Sequence, residues 1–535
     1  MPAIVTNQFR IGNASNFINS VSDTSNSYYV FLGLANPTTG GGLTDGGVGI
    51  GRDADWDDGT LGSIPAPTDN LQYTSLYGQT SLFGKRITSS NVRRVVKKYT
   101  WTANTKYDMY RHDYDIVNNP TPNGNSTLYN TNYYVVNSDY KVYICISNGS
   151  SGTLPGGKRS LDEPTFTNLE PSPSGTSGDG YLWKYLYTIS PSDIIKFDST
   201  DYIVLPNDWP TSTDPQIQSV REAGDSDIYK NQIKTVYIKD GGSGYQLGPH
   251  AVDILGDGVG AKALVTVNNS QVIDSVTVTS GGSGYTYGIL DLSGFNSGAS
   301  ANPAQLIPII PPSKGHGYDL YAELGADKVL IYARFDDSTK DFPVDTHFGQ
   351  VGIIKNPSLF DSVGICTFNQ FSSLNSVMLT SAAVVPNNPA IVGAAITQTV
   401  SGGIAKGYVA SYDSETKVLK YWQDRSLYYP NYKDQTDNKD VDTISKVLAF
   451  SSEDSSSQII SEKSNGDFEV SVNTTFAGIT TRVDDKLINL GVNFENGLAN
   501  PEINKNTGEI LYIDNRKMVS RDLRQKEDVK IILEF

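Results

Sequence analysis

The sequence predicts a mainly β protein: a layered β-sandwich core with a few short helices and inserted small β modules. Three observations carry that expectation. Apolar and aromatic residues recur with strand-like periodicity in many short runs, among them YYVFLGL, NYYVVNS, YKVYICIS, KVLIYARF, KGYVASYD, KVLKYW and DVKIILEF, the pattern of buried or half-buried strands. Turn formers separate the runs, with 50 Gly and 25 Pro among 535 residues, so the chain is punctuated too often for long helices. Tyr is abundant at 32 residues and Met scarce at 4, a composition that favours pleated surfaces.

Helical signals are short. NASNFINSVSD from Asn13 offers an Asn or Ser cap followed by Phe17, Ile18 and Val21 at helical spacing, and SNVRRVVKKY from Ser90 is a second, shorter helical pattern. The densest strand signal is SGDGYLWKYLYTIS, residues 177 to 190, in which Tyr181, Trp183, Tyr185, Tyr187 and Ile189 alternate with Leu182, Lys184, Leu186 and Thr188. One face of such a strand is nearly pure aromatic. It suits either a stacking platform for bases or sugars, at about 1–3 kcal/mol per base, or a packed sheet interior, at about 1.5–3 kcal/mol per ring.

Charge separates part of this choice. Asp plus Glu number 58 against 42 Lys plus Arg, a net charge of -16, and such a field repels a polyphosphate, so nucleic acid is not an expected partner. The basic run RRVVKK, Arg93 to Lys98, reads as a docking patch or a solvated face. No apolar run approaches the roughly 18 residues of a membrane span and the N-terminus lacks a signal pattern, so the expectation is a soluble protein made in a cytoplasm.

A duplication marks an internal module. KTVYIKDGGSGY ends at Tyr245 and DSVTVTSGGSGY at Tyr285, 40 residues apart, and Gly260-Ala261 recurs as Gly298-Ala299 at nearly the same offset. Each copy reads as strand, glycine turn, strand, glycine turn, an element that needs its neighbour to complete a core. The expected organisation is a core in residues 1–230, 311–373 and 500–535, the duplicated module over 231–310, and a second β-rich and loop insertion over 374–499. The acidic stretches KDQTDNKDVD and SSEDSSSQ in the latter suggest exposed loops without a core of their own.

Motifs for chemistry are weak. GGSGY lacks the lysine and hydroxyl of a phosphate loop and the period of a calcium roll, and reads as a turn needing positive φ. Asp53, Asp55, Asp57 and Asp58 in GRDADWDDGT crowd together, but Asp58 stands where a calcium loop needs glycine and Ile64 where it needs glutamate, which leaves a solvated acidic loop or a loose cation site. His112, His250, His316 and His347 are scattered without ligand spacing, so no metal site is expected. Cys145 and Cys366 lie in apolar runs and read as buried thiols. No catalytic set and no cofactor site is expected.

Several stretches, in order, resemble the baseplate wedge subunit of T-even-type contractile-tailed bacteriophages called gene product eight. They are AIVTNQFRIGNASNFINSV with Phe17, IPAPTDN, VVKKYTWTANTKYDMYRHD with Trp101, Tyr107 and Tyr110, and GDGYLWKYLYTISPSD with Gly180, Tyr181, Trp183, Tyr185 and Tyr187, followed by DYIVLP. FGQVGIIKNP, ending at Asn356 and Pro357, and the C-terminal GEILYIDNRKMVSRDLRQKEDVKIILEF with Gly508, Asn515 and Arg516 complete the series. Together they span roughly half of the chain, whereas Lys517 and Met518 depart from the family pattern, which tends to proline there. The resemblance implies a non-catalytic β-sandwich scaffold that forms a homodimer and packs with other baseplate wedge proteins in the virion tail, assembled in the host bacterial cytoplasm. On it, the aromatic row is sheet packing. The competing readings are a glycan-binding or glycan-degrading tail protein and a calcium-dependent adhesin.

Overall fold

The computed structural model describes residues 4–34, 66–67, 69–114, 127–223, 231–295, 302–336, 347–360, 362–380, 395–400, 403–423, 449–452, 458–461, 468–505, 507–520 and 525–535. The protein is mainly β, built of several antiparallel sheets with short helices between them. Its chain divides into two units, Met1–Ile18 with Arg93–Leu330 and Ile532–Phe535, and Asn19–Val92 with Ile331–Ile531. Among the described residues no helix is long and apolar enough to cross a membrane.

The first helix, Asn7–Ser22, starts six residues before the cap read from the sequence. Thr6 Oγ1 accepts the Phe9 N–H at 3.3 Å, and Ile11, Ala14, Ile18 and Val21 form its buried stripe at helical spacing. The expected helix at SNVRRVVKKY is absent. A single 3-10 turn, Ser89–Asn91, leads instead into the strand Val92–Lys97, where β-branched Val92, Val95 and Val96 are fully buried or nearly so and favour the extended backbone. The strand pairs with Tyr202–Leu205, Arg94 opposite Leu205. Nor is the basic run a solvated patch. Arg94 is buried, its guanidinium 3.9 Å from the Tyr321 ring centroid, while Arg93 meets Asp193 at 3.0 Å and Lys98 meets Asp198 at 2.8 Å.

The aromatic strand Tyr181–Thr188 lies at one edge of a three-stranded sheet, with Lys141–Asn148 at its centre and Tyr134–Val136 beyond. Cys145 faces Trp183 and Tyr143 faces Tyr185, with bulges at Val142/Tyr143 and Cys145/Ser147.

In the same unit the two sequence repeats each supply three strands. Val236–Asp240, Gly248–Gly256 and Val259–Val267 come from the first, and Ile273–Ser283, Gly288–Leu290 and Gln305–Pro308 from the second. They exchange partners. The first strand of each copy pairs with the third strand of the other, and the two middle strands pair together. Gly242 and Gly244 have φ of 62° and 82°, and their counterparts Gly282 and Gly284 have 58° and 78°, so GGSGY is the same left-handed turn twice. One buried cluster, including Val252, Ile254, Val265, Ile273 and Leu290, draws on both copies. Gly298 and Ala299 lie outside the described residues.

The second unit holds a five-stranded sheet in the order Gln370–Ser372, Ser81–Ile87, Tyr28–Gly33, His347–Lys355, Glu509–Ser520. It also holds a nine-stranded sheet whose strands all come from between Asn375 and Ala499. The expectation that this stretch lacks a core is corrected, because Val377, Leu379, Ile396, Val409, Leu419 and Val470 belong to one buried cluster of its own. Apolar residues spread over many short strands converge once the strands pair, which local periodicity does not show. The acidic stretch 433–442 lies outside the described residues, as do 453–457 of SSEDSSSQ.

Candidate functional site

The residues singled out in the sequence divide between the two units. In the first, Tyr181, Trp183, Tyr185 and Tyr187 are all buried, with at most 2 % exposure. Tyr181 stacks on Trp183 at 5.5 Å and 13°, and Tyr107 meets Trp183 edge-on at 5.6 Å, geometries that aromatic quadrupoles favour. The hydroxyls turn to the protein's own backbone. Tyr181 Oη donates to Lys158 O at 2.8 Å and accepts the Tyr107 N–H at 3.0 Å, and Tyr187 Oη donates to Val204 O at 2.9 Å. Burial raises the pKa of both phenols, since a phenolate is costly away from water.

The middle of the opposite face is closed as well, while Thr188 at the strand's end is exposed. Leu186 and Lys184 are buried, and Lys184 Nζ donates to Leu169 O at 2.7 Å. Burial lowers the lysine's pKa. Gly180, with φ 85°, precedes the strand and lies next to Gly149, and a Cβ there would stand 3.0 Å from the Gly149 Cα. Trp101 donates Nε1–H to Ser160 Oγ at 3.1 Å, and Phe17 packs on Phe535 at 5.6 Å.

Tyr110 belongs to a different surrounding. Its ring meets His316 edge-on at 4.7 Å, and His316 Nδ1 lies 2.5 Å from Glu323 Oε1 while Glu323 Oε2 accepts the Gly317 N–H at 2.6 Å. Glu323 is on the short helix Leu320–Leu324, capped at its start by Asp319, whose Oδ1 accepts the Ala322 N–H. The helix ends at Gly325, φ 65°, over which the Tyr129 ring closes: a Cβ there would come within 2.5 Å of the ring. Tyr129 and Tyr133 donate their hydroxyls to Ala322 O and Glu323 O, each at 2.6 Å, answering carbonyls that a helix end leaves unpaired.

Beside this helix opens a cleft of about 400 Å³, lined among others by Tyr110, Arg111, His112, Tyr114, Tyr129 and Asp319. Arg111 is buried and forks onto Asp113, Nε to Oδ1 and Nη2 to Oδ2 at 2.9 Å each. Its guanidinium lies 4.2 Å from the Tyr237 ring centroid and 4.9 Å from that of Tyr114. His112 Nδ1 accepts the Ile310 N–H at 3.2 Å, which places the ring proton on Nε2.

Chain and family models do not match, and no curated protein matches it either.

Of the remaining histidines, His250 stacks on Phe295 at 4.3 Å and His347 begins a strand of the second unit. Among the described residues no three His, Cys, Asp or Glu side chains gather as for a metal ion. Asp53, Asp55, Asp57 and Asp58 lie outside the described residues. Cys145 and Cys366 are buried free thiols, and Tyr29 Oη donates to Cys366 O at 3.1 Å. In the second unit Asn356, φ 53°, accepts the Ser27 N–H at 2.7 Å, Pro357 O accepts the Cys366 N–H, and Asn515 Oδ1 accepts from Gln350 Nε2 at 2.7 Å. Gly508, φ 84°, precedes the strand Glu509–Ser520, where Arg516 pairs with Asp514 at 2.8 Å and Lys517 is exposed.

Sequence reasoning singled out Tyr110 but missed the cleft, whose lining comes from segments far apart in the chain. It missed three helices with legible starts. Ser190 accepts the Asp193 N–H before Pro191–Phe197, Asp214 accepts from Gln216 and Ile217 before Pro215–Glu222, and Asp319 caps Leu320–Leu324. The first two follow the cap-then-proline pattern.

Proposed function

We propose that this chain is a structural subunit of a contractile phage tail baseplate, a wedge protein that acts through shape and subunit contacts. The observation that supports this reading best is the fate of the aromatic row. Tyr181, Trp183, Tyr185 and Tyr187 are spent on internal packing, with the Tyr181 and Tyr187 hydroxyls bonded to the protein's own carbonyls, so the most distinctive surface-forming sequence in the chain builds a stiff interior. The same residues lie in the strongest central stretch of resemblance to the T-even-type wedge subunit. Stiff β units suit an assembly that holds one arrangement of interfaces until a trigger tips it into another. In this reading the subunit forms a homodimer and contacts other wedge proteins within the virion tail.

The test is electron microscopy of purified phage particles decorated with a gold-coupled antibody against this chain. Gold at the base of the tail is the expected result; gold on the head or along the tail fibres, or intact particles without label, overturns the proposal. Sedimentation of the purified chain checks the dimer, which should run at twice the 58.1 kDa chain mass.

A further inference from the structure

We infer that the cleft beside the helix Leu320–Leu324 is a binding site for a short, uncharged saccharide. The inference does not depend on the tail reading. Its volume of about 400 Å³ is within the range of small-molecule sites, roughly 300–1,000 Å³. The rings of Tyr110, Tyr114 and Tyr129 contribute to its lining, and flat rings beside polar groups are what a sugar's C–H faces and hydroxyl edges require.

Charge selects the ligand class. An anion would meet the carboxylates of Asp319 and Glu323, and Arg111 offers it little, because that guanidinium is already forked onto Asp113. A cation would share a wall with Arg111, and Glu323 gives it little in return, since both carboxylate oxygens are held by His316 and the Gly317 N–H. Hydroxyl groups fit where ions do not.

The hydrogen-bonding groups left over are those a polyol uses. Tyr110 is only 9 % exposed and lines the cleft, and among the described residues its hydroxyl makes no hydrogen bond to the protein. His112, with Nδ1 engaged by Ile310, carries its proton on Nε2 and so offers a neutral donor. Asp319 is exposed and keeps an oxygen beyond the one that caps its helix. A phenol hydroxyl at the cleft with no protein partner can both donate to and accept from a sugar hydroxyl.

The experiment is saturation-transfer NMR on the full chain with methyl glucopyranoside, methyl galactopyranoside and N-acetylglucosamine, and with L-arginine and inorganic phosphate as charged probes. Two variants accompany it. Tyr110→Phe removes the unpaired hydroxyl and keeps the ring against His316. Gln8→Trp, at an exposed helix position that lines the cleft, fills the space without touching the core. At least one neutral sugar should receive saturation, bind about 3- to 10-fold more weakly to Tyr110→Phe, and be lost in Gln8→Trp, with circular dichroism unchanged in both. No transfer to any of the three sugars overturns the inference. So does transfer that survives both variants, or tighter binding of arginine or phosphate displaced by Gln8→Trp.

Discussion

The Tyr285 hydroxyl accepts the Ala261 N–H at 3.1 Å, tying the second sequence repeat to the first. The reciprocal bond exists: Tyr245 of the first repeat accepts the Ala304 N–H of the second at 2.9 Å. The two tyrosines of GGSGY are therefore the pins of a pseudo-twofold module in which each copy completes the other, with Ala304 the structural counterpart of Ala261. Around Tyr285 the backbone has given way to the ring, since a Cβ on Gly258 would stand 2.3 Å from it.

Tyr285 also donates to Ile254 O at 3.0 Å, so Tyr285→Phe strands a buried N–H and a carbonyl together. The expected loss is about 1–3 kcal/mol, read as a lower urea midpoint at unchanged slope. Tyr245→Phe, with its one bond partly buried, should lose less. Equal or negligible losses in the two variants would remove the pins from the account.

Trp183 tests the aromatic row. Fully buried between Tyr181 and Tyr107, it should cost about 3–5 kcal/mol on truncation to Ala. Trp183→Phe should cost much less, because the indole N–H has no acceptor among the described residues and its removal relieves a buried unpaired donor. Equilibrium unfolding followed by circular dichroism checks both. A Phe variant as unstable as the Ala variant would mean that the N–H is engaged after all.

How far the sequence could be read depended on the range of the interaction. Alternation from Tyr181 to Tyr187 is local, and so is the positive φ that GGSGY demands, and both are found where the sequence puts them. RRVVKK misled because Arg and Lys are good helix formers, whereas the strand is decided by where Val92, Val95 and Val96 are buried. Strand exchange between the repeats is invisible locally, because either copy alone reads as a plain hairpin series. The cleft needs Tyr110, Tyr129 and Asp319 at once, and nothing in their spacing brings them together.

The second unit offers a steric test. Phe31 lies opposite Gly352 on one neighbouring strand and Gly84 on the other, and aromatic rings fold over both glycines. A Cβ on Gly352 would come within 2.4 Å of the Phe31 ring, and one on Gly84 within 2.3 Å of the Phe371 ring. Gly352→Ala and Gly84→Ala should each destabilise by about 1–3 kcal/mol through overpacking, despite the better strand propensity of alanine. Thermal melting of the two variants checks this; a higher midpoint in either would show that the ring swings away freely.

The buried phenols set the alkaline limit of the fold. Tyr133, Tyr134, Tyr181 and Tyr187 all have pKa values raised, chiefly by burial, so ionisation is easier in the unfolded chain than in the folded one. For such a group the native state's advantage is complete below the unfolded pKa of about 10 and is lost as pH rises through the higher folded value. Stability in urea should therefore fall steadily above about pH 10, with Tyr187→Phe making the decline shallower. Absorbance of tyrosinate supplies the second readout, since these rings should ionise only as the fold opens. A native spectrum that persists while all 32 tyrosines titrate near pH 10 would contradict the burial on which the packed aromatic interior rests.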